Sequence, residues 1–145
     1  MRAPRTSLIA QSIFYVVAGI NHFWHKNFYV HIMPDHYAHP AALVQLTGLA
    51  EICGGLGLLA PATRRTSAFG ITAMLLAFLD VHQYMLRHAE RFPEAPKWTL
   101  WARIPLQFVL IAWALHYARS RQKSLPPADQ SLKIDGQVET ARRRR

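Results

Sequence analysis

Apolar residues along this chain fall into blocks rather than alternations. Residues 8–20, 41–60, 66–79 and 104–118 hold nearly all the aliphatic side chains, and the lysines and arginines lie mostly outside them. A helix that crosses ~30 Å of hydrocarbon needs about 20 largely apolar residues at about 1.5 Å each. Windows 6–23, 42–60, 66–86 and 99–118 approach that length. A soluble bundle would need a polar stripe along each helix. None is available: residues 66–79 carry no charge, and residues 104–118 offer only Gln107 and His116. Strands of this length would need many more partners to close a barrel in lipid. The pattern therefore predicts an all-α protein, a four-transmembrane-helix bundle over residues 1–119.

Between the blocks the chain changes character. Residues 24–40, WHKNFYVHIMPDHYAHP, mix aromatics, histidines and prolines, as expected of an interfacial segment outside the helices with Trp24, Phe28, Tyr29 and Tyr37 at headgroup level. Pro61 stops the second helix, and the PATRR turn follows. From Ser120 to Arg145 the sequence is polar and basic, ends in RRRR, and reads as a disordered tail.

Composition adds direction to this picture. The 145-residue chain carries 17 Lys and Arg against 8 Asp and Glu, and its near-neutral mean hydropathy of +0.03 conceals the segregation. Arg2, Arg5, Arg64, Arg65 and the basic tail flank one end of the predicted spans, so the positive-inside rule predicts cytoplasmic termini. The basic residues flank spans instead of forming one face, which argues against nucleic-acid binding. With one cysteine, Cys53, neither an internal disulfide nor a CxxC redox motif is available. No phosphate loop or nucleophile elbow is present.

Candidate chemistry lies in the polar residues inside the spans, which in membrane helices usually turn inward and mark function. Glu51 sits among Thr47, Gly48, Gly54 and Gly55 at helical spacing. Gln11, Tyr15, Gly19 and His22 share one stripe of the first span. Asp80, with His82 to its side, occupies the third span, and Arg103 and Gln107 stand one turn apart in the fourth. At 1.5 Å per residue, Arg103, Asp80 and Glu51 lie roughly 6, 9 and 15 Å below the outer edge. Shared depth predicts that Arg103 pairs with Glu51 or Asp80. The expected ligand pocket comprises His22, Glu51, Asp80, His82, Arg103 and Gln107, with Glu51 and His82 as candidates for proton transfer. The bland alternative is that these charges only fix helix register. The spacings His22–His25 and His36–His39 match half of a zinc motif, but no cysteine accompanies them, so no metal centre is expected. Haem between His22 and His82 is geometrically allowed and would need an apolar slot besides.

GINHF (residues 19–23), YVHIMP (29–34), GLAEICGGLGLLAPATRR (48–65) and WARIPLQ (101–107) together carry a resemblance. Over residues 8–119 the chain resembles the DoxX family of small four-helix membrane proteins. That resemblance implies a bacterial-type inner membrane protein linked to quinone-dependent or thiol oxidoreductase complexes, with a redox partner subunit. Where relatives tend to have Pro-Ala-Asn before a methionine, this sequence reads Asp80-Val81-His82 before Met85, which alters the electrostatics of the expected pocket. Two other functions use the same residues: a non-redox protein that binds or carries a lipid-like molecule, and an assembly subunit of a membrane complex.

Overall fold

The computed structural model describes residues 5–119, and these are helical with no strand among them. In chain order they form α1 (Arg5–Trp24), α2 (Lys26–His31), α3 (Pro40–Leu59), α4 (Arg64–Arg87) and α5 (Lys97–Arg119). A 3-10 turn at Ala89–Arg91 follows α4. The long helices coincide with the four predicted windows to within a few residues at each end. The segment after α1 is more ordered than expected: it contains α2, and only residues 32–39, here called the strap, run without regular structure. The predicted tail from Ser120 onward lies outside the described residues.

Local chemistry explains the helix limits. Pro40 opens α3 at its first position, where a missing N–H costs nothing. At the far end of α3, Arg64 folds back so that Nε donates to the Leu58 carbonyl at 2.8 Å and Nη2 to that of Leu59 at 3.2 Å. A guanidinium there completes carbonyls that a helix end leaves open and opposes the helix dipole. α5 continues through Pro105, which deprives the Trp101 carbonyl of its usual donor.

The four long helices are antiparallel neighbours in the order α1, α3, α4, α5, and α2 rests on α3 and α1. Glycines set the α1–α3 distance. A Cβ added to Gly48 would lie 2.7 Å from the His22 Cβ, and one on Gly55 would lie 2.9 Å from the Ser12 carbonyl oxygen. The Ser12 hydroxyl uses this proximity to donate to the Gly55 carbonyl at 2.6 Å. α4 and α5 instead interlock through Ile71, Leu75, Ile111 and Ala114, part of a buried cluster that also takes in Tyr15, Leu58 and Tyr117.

Polarity is inverted relative to a water-soluble bundle. Ile13, Val17, Leu46, Leu76, Phe108 and Val109 are exposed, while Gln11, Ser12, His22, Glu51, Thr72 and Gln107 are buried. Large apolar side chains exposed on every long helix mark a surface meant for a nonaqueous neighbour. Three helices, α3, α4 and α5, are long and apolar enough to cross a membrane. Of the four expected spans α1 is the exception: it has the length, but Gln11, Ser12, Asn21 and His22 dilute its hydropathy.

Candidate functional site

The buried stripe of α1 meets the glycine-lined face of α3, and the consequence is a contact between His22 and Glu51. His22 Nε2 stands 3.5 Å from Glu51 Oε2, with both side chains almost wholly enclosed. The other ring nitrogen, Nδ1, lies 3.1 Å from the Val44 carbonyl oxygen and 3.2 Å from the Thr47 hydroxyl. A carbonyl only accepts, so Nδ1 carries the ring proton. Thr47 itself donates back to its own helix, at 2.9 Å to Leu43 or 3.1 Å to Val44. The Tyr29 ring covers His22, with centroids 4.0 Å apart.

Beside this contact, toward the end of the bundle that carries the strap, a cavity of about 210 Å³ opens. Its walls come from Tyr29 of α2, Ile32 and Met33 of the strap, Leu43 and Val44 of α3, and Ala77, Phe78 and Val81 of α4. His22, Tyr37, Thr47 and His82 supply its polar atoms. The His82 Nδ1 atom is buried and has no hydrogen-bond partner. Behind His82 lie the Gln107 side chain, within hydrogen-bonding reach of the ring, and the Arg103 guanidinium, close enough to act on it electrostatically. Gln107 is held by its amide donating to the Leu75 carbonyl at 2.5 Å.

The six residues expected to share one pocket therefore divide. His22 and His82 line the cavity; Glu51 stands behind the first, and Gln107 and Arg103 behind the second. Asp80 belongs elsewhere: its half-exposed carboxylate is 3.0 Å from His36 Nε2 and accepts from the Tyr37 hydroxyl at 3.1 Å. The expected pairing of Arg103 with an acid is not what forms. Among the described residues no carboxylate lies within ion-pair distance of Arg103, whose Nη1 instead approaches Met85 Sδ at 3.2 Å. The reason is lateral: α5 packs on α4 and not on α3, so equal depth did not bring Arg103 to Glu51.

Sequence reasoning also missed the strap's clasp. Asp35 accepts from Arg91 Nη1 at 2.7 Å and from the Tyr84 hydroxyl at 2.9 Å, and Arg91 also contacts the Tyr84 hydroxyl. Bonding to Arg91 and then to Tyr84 holds the Asp35 carboxyl below its ordinary range. Burial pushes the Tyr29 phenol up, opposed by the Asn21 amide that donates to it at 2.9 Å. The proline between Met33 and Asp35 and the charge of Asp35 were visible in the sequence; their partners on α4 and the 3-10 turn were too distant along the chain to read.

A family model described as a domain of unknown function, DUF8561, matches residues 11–118. No curated protein and no solved structure matches the chain.

Proposed function

The chain belongs to the DUF8561 family, and from its own residues we propose that it is a quinone-linked accessory subunit of an inner membrane oxidoreductase. In this reading all four long helices cross the bilayer, including the more polar α1, whose polar stripe is turned inward. The Arg5 and Arg64–Arg65 end is cytoplasmic by the positive-inside rule, and the strap and cavity lie in the outer half. The resemblance to the DoxX family agrees with this reading but does not carry it.

The observation that carries it is a largely apolar cavity with His82 on its wall, a histidine whose buried Nδ1 has no hydrogen-bond partner. Buried polar atoms without partners are rare and costly. Ligand sites typically combine apolar walls with a few placed polar groups. A quinone ring fits those terms: Phe78, Tyr29 and Tyr37 offer aromatic walls, and His82 would hold one of its carbonyl oxygens. Its isoprenoid tail would leave between helices beside Ala77, which lines the cavity and is also exposed on the bundle surface. When bound, the quinone supplies the two-electron chemistry and a partner subunit supplies the electrons, because this chain's side chains include no redox pair.

Extraction of small molecules from protein purified in mild detergent, followed by mass spectrometry, tests the proposal. A quinone should accompany the wild type, and Ala77→Trp, which fills the cavity from its exposed wall, should lose it. Quinone-free wild type that also takes up no added quinone would overturn it. The nearly all-apolar walls favour one second reading, a non-redox binder of a lipid-like molecule, for which the same extraction would return a lipid or sterol-like compound.

A further inference from the structure

Ligand binding in the cavity leaves unused a run of buried polar groups along the α1–α3 seam. Gln11 and Tyr15 are 0% exposed and Glu51 is 4% exposed. Apart from the contact of Tyr15 with Gln11, both ends of the Gln11 amide, the Tyr15 hydroxyl and Glu51 Oε2 have no hydrogen-bond partner. The Tyr15 hydroxyl is close to the Gln11 side chain and within electrostatic reach of Glu51. Leaving such atoms unpaired is costly. Proteins complete buried groups of this kind with internal water that makes about three bonds. From Gln11 to His22 the file follows α1 for about 17 Å at 1.5 Å per residue, more than half of the ~30 Å hydrocarbon core. Nearer the α3–α4 turn, the buried Tyr117 hydroxyl of α5 is also without a partner.

At its other end the file meets a gate. Because the Val44 carbonyl fixes the ring proton on His22 Nδ1, a neutral ring turns a lone pair of Nε2 toward Glu51 Oε2. Two lone pairs facing each other in a dry interior repel, so the contact closes only with one proton between them. Glu51 is not among the residues that line the cavity, whereas His22 and Thr47 are. The carboxyl and the cavity thus address opposite nitrogens of one ring.

We propose that the file Gln11–Tyr15–Glu51–His22 is a proton path joining the α3–α4 turn end of the bundle to the strap-end cavity. In one transfer Glu51 gives its proton to His22 Nε2, and the imidazolium releases the Nδ1 proton past Thr47 to a base or water in the cavity. The Glu51 carboxylate then regains a proton from water held by Tyr15 and Gln11. One proton enters and one leaves, no electrons move, and rotation of the ring about Cβ–Cγ exchanges its edges for the next transfer.

Proteoliposomes free of quinone, with a pH-sensitive dye inside and a potassium–valinomycin potential to compensate charge, test the path without reference to the quinone reading. The wild type should dissipate an imposed pH gradient several-fold faster than empty vesicles. Glu51→Gln, which keeps shape but removes the exchangeable proton, should fall to the empty-vesicle rate with an unchanged thermal unfolding midpoint. Should Glu51→Gln fail to fold, Gln11→Leu takes its place: it interrupts the file about 17 Å from the gate and should slow the flux similarly. Wild-type rates equal to those of empty vesicles, or a folded Glu51→Gln or Gln11→Leu that conducts like wild type, would overturn the proposal, leaving quinone extraction to stand or fall separately.

Discussion

The α1–α3 and α4–α5 pairs are both antiparallel and both lie in the same bundle, yet they are held together by different means. In α1–α3 the backbones touch: Gly19, Gly48 and Gly55 admit the opposing chain so closely that added Cβ atoms at all three would collide with it. The space between them is filled by Gln11, Ser12, His22 and Glu51. In α4–α5 the backbones are kept apart by Ile71, Leu75, Ile111 and Ala114, with polar ties from Gln107 to the Leu75 carbonyl and from Arg103 to Met85 Sδ. Close backbone packing through small residues is how membrane helices gain contact where lipid gives no hydrophobic drive. Stability and chemistry are thus divided: α4–α5 is mostly packing, and α1–α3 encloses the ionisable pair His22–Glu51.

Substitutions that separate these roles should break the comparison if it is wrong. Leu75→Ala, deep in α4–α5, should have the largest effect on stability, about 2–5 kcal/mol by loss of buried volume, read from thermal unfolding in detergent. It should leave proton flux intact in whatever protein remains folded. Gly48→Ala should cost less, about 1–3 kcal/mol of overpacking, because the new methyl meets the His22 Cβ. Here the functional loss should exceed the stability loss, since His22 must move from Glu51; equal flux in Gly48→Ala and wild type would show that the seam does not position the gate. Gln107→Leu should cost only about 1 kcal/mol, the worth of one hydrogen bond, and should not change the His22–Glu51 contact.

The smallest expected effect concerns the strap, which lies outside both pairs. The folded Asp35 carboxyl sits below its ordinary value, so its clasp contributes fully above that value and is lost as pH falls through the lowered one. Hydrogen exchange of residues 32–39 should therefore rise in acid below the usual carboxylate range. In Asp35→Asn the strap should exchange faster already at neutral pH and show less change in acid. A strap that exchanges identically in both proteins would remove the clasp from the account.

Much of the fold was legible because apolar blocks of helical length leave few alternatives: the far end of α3, before Pro61, could be read almost directly, whereas Pro40, read as part of the interfacial segment, opens the helix. The inward turn of Gln11, Tyr15, His22 and Glu51 was legible too, from the 3.6-residue spacing and from the small residues around Glu51. Depth along a helix follows from counting, but direction around the bundle does not. That is why Arg103 was expected beside Glu51 or Asp80 and lies instead beside Met85. Asp80 shows the same limit: its height was readable, but its side chain turns out to the strap, where His36 and Tyr37 meet it. The short α2, with Tyr29 over His22, was hidden in a segment whose prolines and histidines read as irregular.

Ligand binding in this bundle depends on the cavity and on the histidine at its wall, His82. Histidine-selective 15N spectra of the protein in nanodiscs, taken while a short-chain quinone is added, measure this directly. The account predicts a saturable shift of His82 Nδ1 that is abolished in Ala77→Trp, with His22 Nδ1 still bonded to Val44. A His82 resonance that stays in place at saturating quinone would contradict it.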